Sequence, residues 1–162
     1  MTLKFKIEQI ALYPKDPERA IKFLRAVGLE EWVHDHVVAN GYVHGMFCQN
    51  EADLAFNYEA TASKALELEV LNYTSGAHWM SINPDRGATV SHLGMHVTAL
   101  ELVEWDALME MQGVRVAQTV FTESHTNAFI ATSRRYNYVI YDTFDILGVD
   151  LKFIVRYNAE VK

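Results

Sequence analysis

The strongest constraint on this chain is that its pattern occurs twice. A strand-like stretch from Phe5 to Tyr13 is followed by Asp16-Pro17-Glu18, an N-cap, a first-turn proline and an acidic residue that together open a helix. Ala20, Ile21, Phe23, Leu24 and Val27 form its apolar stripe, and Gly28 stops it. Strand-like stretches follow at Trp32–Ala39 and Tyr42–Cys48, flanking Asn40-Gly41 as the expected hairpin turn, then at Leu54–Glu59 and Leu66–Tyr73. Ala60–Ala65 reads as a turn or short helix. A second round begins with the strand Thr89–Val97. Thr98 and Glu101 form a capping box for a helix to about Gln112, and Gly113 ends it. Strands are expected at Val114–Thr122, Phe129–Thr132, Tyr136–Asp142 and Val149–Arg156. The offset is constant: Gln9 to His92 is 83 residues (92 − 9), and Glu69 to Lys152 is 83 residues (152 − 69). A shared offset at the first and last strands argues for a duplicated unit. The expected fold class is α+β, with two βαβββ modules at 1–73 and 88–162 joined by a linker at 74–87, where Ser75, Gly76, Asn83, Pro84, Asp85 and Gly87 collect. Trp79 and Met80 suggest that part of the linker packs.

Side chains alternate along strands, so each strand can be divided into two faces. Leu68 and Val70, Leu151 and Phe153, Leu93 and Met95, and Ile10 and Leu12 would pack on helices. The opposite faces carry Glu67, Glu69 and Tyr73; Lys152 and Arg156; His92 and His96; and Gln9 and Tyr13. If these faces curl together, Gln9, Glu69, His92 and Lys152 converge in one cleft.

Composition narrows the functional classes. The 162 residues carry 14 Lys+Arg against 21 Asp+Glu, a net charge of −7, so nucleic acid is a poor partner. No apolar run approaches the roughly 20 residues of a membrane-spanning helix, and the charged start MTLKFKIEQI lacks the apolar core of a signal peptide. With a single cysteine, Cys48, no internal disulfide can form. A cytoplasmic protein with neither membrane nor nucleic-acid partners is expected.

The stretches IEQIALY (7–13) and SHLGMHV (91–97), with LEVLNY (68–73) and GVDLKFI (148–154), resemble the paired first and last strands of the vicinal oxygen chelate superfamily, the glyoxalase/bleomycin resistance/dioxygenase group. The resemblance covers nearly the whole chain and implies cupped mixed sheets and a homodimer. In metal-binding members each module supplies one ligand from its first strand and one from its last. Those positions here are Gln9, Glu69, His92 and Lys152. Gln, Glu and His match one form of lactoylglutathione lyase, whereas Lys152 stands where that family has a glutamate that also moves the proton.

Two readings follow. In one, Gln9, Glu69 and His92 hold Zn²⁺, Ni²⁺, Fe²⁺ or Mn²⁺, a Lewis acid for a vicinal-oxygen substrate, with Glu69 and a neutral Lys152 as catalytic groups and His96, Tyr73 and Arg156 binding substrate. In the other, the Lys152 ammonium replaces the metal and the protein is a metal-free binder of a small molecule or antibiotic. An extradiol dioxygenase, with two histidines and one carboxylate on iron, fits less well at Gln9 and Lys152. Other candidates are bland: His34-Asp35-His36 reads as a solvated strand face, Arg134-Arg135 as a strand-edge cap or anion clamp, Ser124-His125-Thr126-Asn127 as a polar loop, and Cys48 as a buried spectator.

Overall fold

The computed structural model describes residues 3–63, 65–82, 89–122, 125–127 and 132–157. The first half runs β1 (Gln9–Tyr13), α1 (Pro17–Ala26), β2 (Trp32–Val43), β3 (Met46–Asn57), α2 (Tyr58–Ser63) and β4 (Glu67–Gly76). A short helix α3 (Trp79–Ile82) leads to the second half: β5 (Thr89–His96), α4 (Ala99–Met111), β6 (Val116–Thr122), β7 (His125–Asn127), β8 (Thr132–Tyr141), α5 (Phe144–Leu147) and β9 (Asp150–Tyr157). The strand order is β6-β2-β3-β4-β1-β5-β9-β8-β7, and a further β6–β8 pairing closes eight strands into a ring, with β7 only a hairpin on β8. Both modules thus pair within one chain.

The duplication reappears in the register. β1 and β4 are parallel with Gln9 opposite Glu67; β5 and β9 are parallel with His92 opposite Asp150. Both pairs lie 58 residues apart (67 − 9 and 150 − 92). The helices form as their caps dictate. Asp16 accepts from the Arg19 amide, and Thr98 and Glu101 make both bonds of the capping box. Each helix covers the outside of its own half: Ile21 and Leu24 of α1 pack near Trp32, Ala55 and Val70, while Trp105 and Met109 of α4 pack with Tyr141, Leu151 and Phe153. The third cluster fills the ring itself, with Leu54, Phe56, Trp79, Val120, Tyr138 and Ile140 among its members.

The hairpin expectation at Asn40-Gly41 is corrected. β2 runs straight through it, and the turn is His44-Gly45, with φ of 45° and 79°, a two-residue loop between Val43 and Met46. Gly41 serves closure instead, because β6 crosses so near that a Cβ there would lie 1.9 Å from the Thr119 carbonyl oxygen. The strand expected at Tyr42–Cys48 instead spans the end of β2, the turn and the start of β3, the strand expected at Leu54–Glu59 is the end of β3 running into α2, and the first strand begins at Gln9 rather than Phe5. β4 continues to Gly76, and Trp79 and Met80 are buried inside the ring. Residues 83–88 and 128–131, which include the end of the expected linker and most of the strand expected at Phe129–Thr132, lie outside the described residues.

Candidate functional site

Four neighbouring strands, β4, β1, β5 and β9, aim polar side chains into the ring. The register explains why there is room. Ala11 of β1 lies between Glu69 and His92, and Gly94 of β5 lies between Gln9 and Lys152. Large residues therefore alternate with small ones on the inner face. At Gly94 the fit is tight, since a Cβ there would be 3.0 Å from Gln9 Oε1. The four expected residues do converge, and all are buried: Gln9 2%, Glu69 2%, His92 1% and Lys152 7% exposed.

Their bonds form a directed network. The Gln9 Nε2 amide donates to Glu67 Oε1 at 2.6 Å, which turns Gln9 Oε1 the other way. That oxygen faces His92 Nε2 at 3.0 Å and accepts from Lys152 Nζ at 3.3 Å. Glu69 Oε2 lies 3.3 Å from His92 Nε2 and 3.8 Å from Lys152 Nζ. His92 Nδ1 meets the Ser91 hydroxyl at 3.1 Å. Burial, and then the Lys152 charge, lowers the His92 pKa to about 4, so the imidazole is neutral at pH 7. With Nε2 protonated it donates toward Gln9 and Glu69, and Nδ1 accepts from Ser91.

Above this floor the ring holds a small cavity of about 50 Å³ within a cleft of about 640 Å³ that includes open solvent. Its walls are mainly apolar and aromatic, including Leu54, Phe56, Leu71, Tyr138 and Ile154. Lys152 Nζ sits 4.6 Å from the centre of the Tyr138 ring, within cation–π range. Burial holds the phenols of Tyr73 and Tyr138 well above their usual pKa, so both remain neutral hydrogen-bonding groups. One end of the ring is plugged by Trp79, whose indole N–H donates to Asp150 Oδ2 at 2.9 Å while its backbone N–H donates to Gln118 Oε1 at 3.0 Å. Sequence reasoning missed Glu67 as the residue that orients Gln9, and Trp79, Tyr136 and Tyr138 as walls. The signal for Glu67 was available: it shares a strand face with Glu69.

Of the expected substrate-binding residues, Tyr73 and Arg156 line the cavity. His96 does not. It lies further along β5 toward the end of the ring, where Glu8 Oε2 accepts from its amide at 2.8 Å and faces its Nδ1 at 3.1 Å. His36 is a surface residue held by Asp53 at 2.8 Å, a bond that raises its pKa. Cys48 is buried and free, its thiol pKa pushed up by that burial. The side chains of 124–127, Arg134 and Arg135 lie outside the described residues.

The donor set does not fit a divalent ion. Among the described residues no group of three or more His, Cys, Asp or Glu is arranged around a common point. At the four-residue floor, a lysine ammonium, which has three donors and no acceptor, already sits beside the oxygens a metal would need. An ion of two charges held about 4 Å from that ammonium would be repelled by about 8 kcal/mol at an effective dielectric of about 20. The expected metal role of Gln9, Glu69 and His92 therefore conflicts with Lys152 in its charged form.

No protein-family model and no curated protein sequence matches the chain. Solved structures do. A methylmalonyl-CoA epimerase in complex with methylmalonyl-CoA and NH4+ matches with a TM-score of 0.50 and 16% identity, covering 97% of this chain and 96% of its own. Methylmalonyl-CoA epimerase from Mycobacterium tuberculosis matches with a TM-score of 0.45 and 14% identity, over 96% of this chain and 93% of its own. The likeness at such identities is one of architecture. The chain has two βαβββ modules in one ring of strands, the fold it shares with the first of those methylmalonyl-CoA epimerase structures.

Proposed function

We propose that this chain is a metal-independent small-molecule-binding protein, in which the Lys152 ammonium takes the place of the ion held by metal-binding proteins of this fold. The observation behind this reading is the position of Lys152 Nζ, 3.3 Å from Gln9 Oε1 and 3.8 Å from Glu69 Oε2. The ammonium faces the Glu69 carboxylate, the buried Glu67 carboxylate lies behind Gln9, and His92 and Gln9 add no charge. Such a floor suits a neutral carbonyl or hydroxyl oxygen, and the aromatic walls suit an apolar body. Lys152 would share its N–H donors among Gln9, Glu69 and the ligand oxygen.

Titration of tryptophan fluorescence with small ketones tests this, Trp79 being the tryptophan that lines the cavity. The expected result is saturable binding that Lys152→Met weakens at least tenfold. Elemental analysis of wild-type protein dialysed against Zn²⁺, Ni²⁺ or Mn²⁺ provides the opposing test. One ion per chain, lost in Glu69→Gln, would overturn the reading.

A second reading, proton transfer beside a carbonyl, is favoured by the place of Glu69 Oε2 between His92 and Lys152. Glu69 would take the proton from the carbon next to the carbonyl. The C–H electron pair would form an enolate whose oxygen faces Lys152, and the proton would return to carbon. The solved epimerase of this fold holds methylmalonyl-CoA together with NH4+; here Lys152 would supply the ammonium. Exchange of α-protons into D2O, followed by NMR and abolished in Glu69→Gln, distinguishes catalysis from binding alone.

A further inference from the structure

Resting on the binding reading above, the geometry points to a ligand of defined class: an oxo acid that places its carbonyl at Lys152 and its anionic end at Arg156. Both residues lie on β9, four apart, and both line the cavity. Their cross-strand neighbours on β8 are Ile140 beside Lys152, Tyr138 beside Ile154 and Tyr136 beside Arg156. One wall therefore reads cation, apolar stretch with two aromatic rings, cation. The rings of Tyr136 and Tyr138 stack at 6.1 Å and 20°, giving a continuous surface between the ends.

The two cations differ in how deeply they are buried. Lys152 is buried and faced by Glu69, with Glu67 behind Gln9, so a ligand carboxylate placed there would meet two carboxylates. Arg156 is exposed at the end of β9 opposite the Trp79 plug. A charged group is thus best accommodated at the mouth and a neutral oxygen at the floor. The span follows from the strand: four residues at about 3.3 Å put the two Cα atoms about 13 Å apart. At about 1.2 Å per bond of an extended chain, that is roughly ten bonds between carbonyl and acid, fewer as both side chains reach inward.

The test is a series of methyl-ketone acids from 4-oxopentanoate to 10-oxoundecanoate, each with its methyl ester, titrated by Trp fluorescence and calorimetry. Affinity is expected to rise with length toward the longer members. There the acid should bind at least tenfold tighter than its ester, Arg156→Met should remove that preference, and Lys152→Met should weaken acid and ester alike. Equal binding of acid and ester, or an acid preference unchanged in Arg156→Met, overturns the oxo-acid inference and leaves the carbonyl site standing. Failure of both acids and esters to bind overturns the inference together with the reading beneath it.

Discussion

Replacing Lys152 with glutamate should turn a metal-excluding floor into a metal-binding one. The substitution removes the cation beside Gln9 and Glu69 and supplies a fourth ligand, the second carboxylate of the set. Without metal, Glu69 and the new carboxylate would face each other with no counter-charge. Breaking a buried pair in this way costs about 3–5 kcal/mol, and Lys152→Met should show a similar loss because it strands Glu69. With metal, the repulsion of about 8 kcal/mol worked out above for the wild type becomes an attraction. Binding then returns stability by mass action, about 2.7 kcal/mol at a free ion concentration of 100 Kd. The assay is urea unfolding of wild type, Lys152→Met and Lys152→Glu, each with chelator and with Zn²⁺ or Ni²⁺. Only Lys152→Glu should gain stability from the ion, while the wild-type midpoint should be the same in both conditions. A wild type that loses stability on chelation, or a folded Lys152→Glu that ignores metal, would refute the reasoning.

Three further outcomes are expected. His92 has a folded pKa of about 4 against an ordinary 6.5. The unfolded chain therefore binds more protons between those values, so stability is full above about pH 6.5 and falls toward pH 4, by on the order of 3 kcal/mol from this group. Urea midpoints at pH 7, 5.5 and 4.5 should show this slope, and His92→Asn should flatten it. Gly41→Ala should cost about 3 kcal/mol or more, or prevent folding, because its Cβ would press on the Thr119 backbone 1.9 Å away; an unchanged thermal midpoint would show that β6 does not close on β2 as described. Asp150→Ala should free the Trp79 indole and red-shift its emission, and an unshifted spectrum would mean that the plug does not depend on that bond.

Much of the site was legible because strands of period two carry their own face assignment. Leu93 and Met95 pack on α4 while His92 faces inward, as alternation requires. A constant offset then aligned Gln9 with His92 and Glu69 with Lys152 without knowledge of the pairing. What alternation does not encode is neighbour identity. Asn40-Gly41 has the local chemistry of a turn, yet Gly41 is needed where β6 passes, a long-range demand that local propensity cannot register. His96 shares a face with His92, but Glu8, 88 residues away in sequence, holds it near the ring's end. The walls were hidden for the same reason: Tyr136 and Tyr138 belong to the cavity only once β8 pairs with β9 and β6.

The closing pairs β2–β6 and β6–β8 have a consequence for how the protein behaves on dilution. Every strand that carries a floor residue has both hydrogen-bonded neighbours supplied by the same polypeptide. Assembling the cavity is therefore a first-order event. Ligand affinity per chain should be the same at nanomolar as at micromolar protein, whatever larger assemblies the outer surfaces form.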